Sequence, residues 1–360
     1  MNLSGLSEGQ YYACVQGVDL LEQKSAWIAS TQSLLVDLNA PTVARVYSPL
    51  SSGYVKASDV LDIVVEYNEP VFVAGTGLEL DLNLGAPNRS AIYQSGSGST
   101  SLHFRLLVAS GDNSNDLNYT GINAMSVGAA AISDLSGHSA VTNLPATGDS
   151  HSLAGQNAIV VDTTVPAVPT AVSVPASHSN VLNVPVTFTA GTDSHFKQNA
   201  VKLCSANDCS TSCTSALNGG SPVTIAGSNN QTYYACVRSE DQSGNVSNWI
   251  ASSGSIALDN QAPSVSGVSS STADGAYKAG QSLSIQVSFT ESVLVTTPSD
   301  IKLNLNLGGT ARQASYVSGA PGNVLTFSYT ILAGDESADL SYVDNASLVL
   351  GTATIRDAAL

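Results

Sequence analysis

Four cysteines stand close enough to act together: Cys204, Cys209, Cys213 and Cys236, with a fifth, Cys14, far away in the chain. An even set of thiols either holds a metal as thiolates or pairs as disulfides. Zinc sites place their cysteines in closely spaced pairs, and Cys-x4-Cys-x3-Cys with a distant fourth fits that poorly. Disulfides, and with them an oxidising compartment, are the expected chemistry.

Carboxylates are the second candidate chemistry. Glu69, Asp112 and Asp116 return later in the chain as Glu291, Asp335 and Asp339, and Asp37, Asp162 and Asp259 each stand just before a proline. Hard oxygen ligands recurring at fixed places could coordinate calcium and stiffen the chain. The spacing forms no EF-hand loop and no Gly-Gly-x-Gly-x-Asp nonapeptide. The competing reading is that these are turn residues accepting backbone hydrogen bonds.

Catalytic patterns are weak. Gly5-Leu6-Ser7-Glu8-Gly9 matches a nucleophile elbow, but that motif needs a strand before it and a helix after it, whereas here a strand follows at Tyr11. His103, His138, His151, His178 and His195 show no repeated metal-binding spacing, and His103, alternating with apolar residues, is expected on a solvent face. No glycine-rich phosphate loop with a lysine follows any strand. Tyr11, Tyr12 and Trp27, with their later counterparts, could form a sugar-stacking platform, although such aromatics usually serve the core. The net charge of −16 is diffuse and without a basic stripe, which argues against nucleic acid as a partner. No apolar run is long enough to span a bilayer, and Met1-Asn2-Leu3-Ser4 has neither the basic nor the apolar segment of a secretion signal.

The elements that must position these residues repeat. Tyr11-Tyr12-Ala13-Cys14-Val15 returns as Tyr233-Tyr234-Ala235-Cys236-Val237, and Trp27-Ile28-Ala29-Ser30 as Trp249-Ile250-Ala251-Ser252, at an offset of 222. Fixed-period similarity marks structural modules, and both ends falling within a repeat imply part of a longer polypeptide. Leu61, Ile63, Val65 and Tyr67 alternate with polar residues, as do Leu283, Ile285, Val287 and Phe289. Leu78 to Leu84 match Ile301 to Leu307, and Leu102 to Val108 match Leu325 to Ile331, with the same period of two. With only 11% charged residues, these alternating runs indicate an all-β chain of tandem β-sandwiches. The expected modules are residues 1–41, 42–162, 163–262 and 263–360, the first and last incomplete. Their joints, Asp37 to Pro41, Asp162 to Pro166 and Asp259 to Pro263, are short and end in proline, so they should be stiff and the array a semi-rigid rod.

Two stretches, Ser271-Thr272-Ala273-Asp274-Gly275-Ala276-Tyr277-Lys278-Ala279-Gly280 and Ala333-Gly334-Asp335-Glu336-Ser337-Ala338-Asp339-Leu340-Ser341-Tyr342, resemble the bacterial immunoglobulin-like repeats of large surface and secreted proteins. The module at 163–262, with Tyr233, Ala235 and Val237 on a core face and the hairpin Asp241-Gln242-Ser243-Gly244-Asn245, resembles fibronectin type III-like domains. Asp19-Leu20-Leu21-Glu22-Gln23 is the counterpart of that hairpin without its Gly-Asn pair, Asp134-Leu135-Ser136-Gly137-His138 is a related turn, and Asp357 begins another. If Tyr233, Ala235 and Val237 face the core, Cys236 faces away, and so does Cys204 beside Val201 and Leu203. Those strands are neighbours in a fibronectin-type sandwich, so the resemblance implies a Cys204–Cys236 bridge, leaving Cys209–Cys213 to close a small loop. The function it implies is a non-catalytic extracellular or cell-surface spacer or adhesive rod that meets protein or glycan surfaces. The alternatives are the accessory stalk of a secreted hydrolase and a carbohydrate-binding module. No cofactor is implied beyond calcium.

Overall fold

Period-two alternation gives a strand one apolar face, which is stable only when another layer covers it. The computed structural model describes residues 5–85 and 88–359, whose regular elements are nearly all strands, and contains three separate cores built in this way. Met1 to Ser4, the stretch without a secretion pattern, and Leu360 lie outside the described residues. The chain forms two compact units. One holds the chain up to Pro166 with Asp193–Lys197 and Glu240–Ser247; the other holds Ala167–Thr192, Gln198–Ser239 and the chain from Asn248 onward.

In the first unit, Gly9–Val15 and Ile28–Val36 pair as an antiparallel hairpin that leaves Trp27, Ile28 and Leu35 exposed. The first core follows. Its main sheet runs in the order Met125–Ser126, Glu79–Leu82, Arg89–Ser95, Ser99–Leu107, Val60–Ala74, Ala131–Ser133, and Val43–Tyr47 also pairs with the long Val60–Ala74 strand. A smaller sheet places Ala158–Asp162 parallel to Ser52–Val55 and antiparallel to Asn113–Ser114. Ile63, Phe104 and Leu80 from the main sheet bury together with Ile159 and Val161 from the smaller one. A one-turn helix, Leu153–Gln156, is capped by the Ser152 hydroxyl, which accepts from Gly155 N–H, and it drops Leu153 into the same core. The buried Asn157 side chain accepts from Ser48 N–H at 2.7 Å and donates to Ser48 O and Leu50 O, tying the closing strand to the start of the module.

In the second unit, one core lies between the sheet of Thr170–Ser173, Asn183–Thr189 and Val223–Ala226 and the sheet ordered His178–Ser179, Ile256–Leu258, Gln231–Asp241, Phe196–Cys204, Leu217–Asn218. The last core repeats the first. Val265–Ser270, Ser282–Val295, Gly322–Thr330, Thr310–Ser318 and Lys302–Leu307 lie side by side, with Ser341–Tyr342 and Leu348–Val349 both pairing with Lys302–Leu307.

The long strand carries a large bulge in both copies. Val60–Ala74 pairs evenly with Ser99–Leu107 as far as Glu66 opposite Ser101, then shifts so that Val71 faces Ser99. Ser282–Val295 does the same between Ser288 opposite Val324 and Val293 opposite Gly322. Residues in such a bulge are released from the ladder and can be aimed outward. Glu69 and Glu291 are among them.

Phe104 and Phe327 are fully buried at equivalent places and meet Tyr93 and Tyr316 edge to face. Replacing either with alanine is expected to cost its own core about 3–5 kcal/mol. His103→Ala, on the exposed face beside Phe104, is expected to change it by less than about 0.5 kcal/mol. Denaturant titration read by hydrogen exchange at each core checks this.

Candidate functional site

The joints share one local device. Asp37, Asp162 and Asp259 each turn a carboxylate oxygen onto the amide two residues ahead, accepting from Asn39, Thr164 and Gln261 at 3.1, 2.9 and 3.0 Å. The second device is a five-residue turn whose leading Asp accepts from the amide four residues on: Asp19 from Gln23, Asp134 from His138 and Asp241 from Asn245. The fourth position needs a left-handed backbone, supplied by Gly137 and Gly244. The hairpin that lacks the Gly-Asn pair keeps the same turn, with Glu22 taking the left-handed conformation at φ 61°.

These two devices meet. Asp37 lies with Asp134 and His138, Asp162 with Asp193 and His195, and Asp259 with Glu291 and Asp357, the ligand-type atoms of each group lying within 4.8 Å of one another. Glu69 lies near enough to the first group to be affected by its charges. Its carboxyl is held above the usual range by partial desolvation and by the nearby Asp37, Asp134 and Glu8. Glu291 is raised in the same way, by desolvation and then by Asp259 and Asp357. Asp134 is lowered: desolvation works against it, but His138 donates from both its backbone and its ring. The first and third groups share the joint aspartate and the turn aspartate, Asp37 with Asp134 and Asp259 with Asp357, to which the first adds His138 and the third Glu291. Each offers hard oxygen ligands in a small space, chemistry suited to a divalent cation.

At the middle group the contacts run from the end of the first core to the neighbouring turns, all within the first unit. His195 Nδ1 lies 2.8 Å from Asp162 Oδ2, Asn245 donates to Asp162 O at 2.9 Å and to Asp241 Oδ2 at 2.8 Å, and Lys56 Nζ donates to Gly244 O at 3.1 Å. The Tyr54 ring meets the His195 ring edge-on. His195 and Asp162 are both largely buried, so this polar contact is shielded from solvent.

Of the carboxylates singled out for calcium, Asp37, Asp162, Asp259 and Glu291 lie in these groups, and Glu69 is close enough to the first to be affected by its charge. Asp112 is buried against the Arg89 guanidinium at 2.5 Å and accepts from Ala109 N–H. Asp335 likewise takes Arg312 at 2.9 Å, together with the Tyr329 hydroxyl and Leu332 N–H. Both serve as turn anchors paired with arginine. Asp116 and Asp339 are exposed. The residues that sequence reasoning missed are Asp193, His195, His138 and the partners Asp134 and Asp357. The recurrence of Asp134 as Asp357, at the same offset as Asp112 and Asp335, was the signal that could have found the last two.

The disulfides correct the expected pairing: Cys204 bonds Cys213 and Cys209 bonds Cys236, rather than Cys204 with Cys236 and Cys209 with Cys213. The strands of Cys204 and Cys236 are neighbours, as expected. Both thiols, however, point to the sheet face away from the main core, where the loop after Cys204 folds back over them. Each is captured by a loop cysteine instead of by the other, and the bridges with Trp249 and Ala251 form a small core of their own. Lys202 Nζ lies 4.3 Å and Arg238 Cζ 4.7 Å from the Trp249 ring centroid, so cations already use the ring that a sugar would need. Cys14, the counterpart of Cys236, is free and exposed.

The catalytic pattern at Gly5 to Gly9 precedes the strand that starts at Gly9, and Ser7 Oγ lies 3.0 Å from the Tyr11 hydroxyl. At His151 and His195, the neighbouring serine and a carboxylate approach the same nitrogen, Nδ1, whereas a serine relay needs one on each nitrogen. No helix among the described residues is long and apolar enough to cross a membrane.

No protein-family model matches the chain, and no curated protein matches it. Among solved structures it is similar to the fibronectin(III)-like modules of CbhA from Clostridium thermocellum, at 14% identity over 59% of this chain and 94% of that one, with a TM-score of 0.26. It is also similar to the FN1-FN3 domains of chicken CNTN1, at 10% identity over 87% and 98% of the two chains and a TM-score of 0.23. The S-layer protein rSbsC(31-844) matches at 9% identity over 85% of this chain and 54% of that one, with a TM-score of 0.21.

Peptide mapping without reduction is expected to recover Cys204 with Cys213 and Cys209 with Cys236, and a thiol reagent to label Cys14 alone before reduction. For Glu69 and Glu291, the raised values mean that the folded chain binds the proton more tightly than the unfolded one. Their contribution to stability therefore falls as pH rises from the ordinary glutamate value through the raised one. Glu291→Gln, in the presence of a chelator, is expected to flatten that part of the stability profile between acid and neutral pH, measured by denaturant midpoint.

Proposed function

We propose that this chain is a non-catalytic extracellular repeat segment that acts as a spacer, or an adhesive segment, of a surface protein. The observation that carries the reading is the joint at Asp162. One carboxylate closes its own turn onto Thr164 and at the same time holds His195, while Asn245 grips the backbone of the same residue. Such a joint resists bending about Asp162, a property a spacer needs to keep its segments in register under load. Two disulfides within one small sandwich suit an oxidising compartment outside the cell. The partners on this reading are protein or glycan surfaces met through exposed loops, and nucleic acid is disfavoured by the diffuse negative charge.

The repeat-equivalent acidic groups deepen the same reading. Calcium held by Asp37 and Asp134, beside Glu69, and by Asp259, Glu291 and Asp357, would neutralise the repulsion that raises the two glutamates and would set the joints. Asp112, Asp116, Asp335 and Asp339 stay outside that assignment.

Asp162→Ala combined with Asn245→Ala is expected to leave the cores folded while broadening the orientations sampled across the joint, read by residual dipolar couplings. Unchanged couplings, or hydrolase activity in the isolated chain, would contradict the spacer reading. Millimolar calcium is expected to raise the melting temperature relative to chelator, and Glu69→Gln with Glu291→Gln to reduce that rise; an unchanged melt removes the calcium assignment alone.

A further inference from the structure

We infer that Arg238 and Lys202, gathered around Trp249 on the outer face of the disulfide-bridged sandwich, form a binding site for the sulfate or carboxylate groups of an acidic glycan. The site lies apart from the joints, and it rests on the extracellular reading only in that such a glycan must be within reach.

Charge pairing singles out Arg238. Acidic residues outnumber basic ones 28 to 12, so a cation in this chain should readily find a carboxylate. Arg45, Arg89, Arg105 and Arg312 each do. Among the described residues Arg238 meets none, and its Nε is shut off from water without a hydrogen-bond partner. A buried charged donor without an acceptor is costly, and a bound anion is what would match it. Lys202 stands by the same ring and donates to Cys209 O at 2.7 Å, with further N–H groups to give. The carboxylates nearby in the chain are engaged, Glu240 with Lys197 and Asp208 with Ser210 N–H.

The two cations stand on a braced platform. Alternation puts Lys202 on the same face as Cys204 and Arg238 on the same face as Cys236, so each lies two residues from a disulfide. Trp249 packs against those bridges and attracts both cations to its ring. Held in place beforehand, they lose little freedom on meeting an anion. All three side chains are partly exposed. Arginine and lysine offer donors alone, the complement of sulfate and carboxylate, which only accept. Both strands are interior to their sheet, so a peptide would find no free backbone ladder here. A neutral sugar would need the ring that the cations cover.

The test uses the intact 360-residue chain carrying Trp27→Phe, which leaves Trp249 as the sole tryptophan, and follows its fluorescence on titration with a heparin tetrasaccharide. A saturable change is expected, with an affinity that weakens as salt rises. Arg238→Gln is expected to weaken binding about tenfold. Arg238→Lys, which keeps the charge without the planar fork, should weaken it less. Lys202→Gln is expected to weaken it with Arg238 intact, and unreduced peptide mapping checks that each variant keeps both disulfides. No saturable change with the parent chain, or an affinity untouched by Arg238→Gln and by Lys202→Gln, would overturn the assignment. So would equal affinity for a neutral oligosaccharide, for inorganic sulfate or for a tetra-aspartate peptide, the last of which would give the site to an acidic protein. Unchanged dipolar couplings in the joint variant would remove the spacer reading and leave this result untouched.

Discussion

The long bulged strand is the member on which each repeated sandwich depends. Val60–Ala74 joins Val43–Tyr47, Ser99–Leu107 and Ala131–Ser133 through one stretch of backbone, and it can do so only because its ladder breaks between Glu66 and Val71. Before the break it presents Leu61, Ile63 and Val65 to the core, and after it Val71 is buried again. The residues lost from the ladder are the ones that reach the joint. Packing and site chemistry are therefore coupled: the irregularity that lets one strand serve several neighbours also pushes Glu69, and in the last core Glu291, toward carboxylates they would otherwise never meet.

That coupling explains the electrostatics. A joint closed by an Asp turn already concentrates negative charge, and the bulge adds a further carboxyl. The cost appears as glutamates that hold their protons more tightly than usual. At the Asp162 joint the same geometry is met by an imidazole and an amide, which hydrogen-bond the carboxylate and the backbone. The three joints are thus variations on one turn, differing in what is set against the aspartate.

Much of this was legible in the sequence. Strict alternation in Leu283 to Phe289 and Leu303 to Leu307 fixed which side chains would be buried, because a strand has only two faces. The disulfide pairing was not legible, because side-chain direction says which face a cysteine takes but not what covers that face. The loop after Cys204 covers it, and a loop has no periodicity to read. The acidic groups were half legible for a similar reason. The Asp turns are local and visible as Asp-x-x-Gly, whereas Asp37 and Asp134 are brought together only by the fold.

The interlocked order of the two disulfides has a mechanical consequence. Cys204 is joined to Cys213 and Cys209 to Cys236, so the shortest covalent path from Cys204 to Cys236 runs through both bridges and only the short segment between Cys209 and Cys213. A pulling force would travel along that path and never reach most of the intervening chain. The length this module could yield when stretched is shortened by on the order of 80 Å, judged from the reach of extended backbone. Hydrogen bonds between the Cys204 and Cys236 strands would be spared the peeling that unzips an unbridged pair. The module would give up little slack, and most of its extension would come from the segments outside the bridged loop.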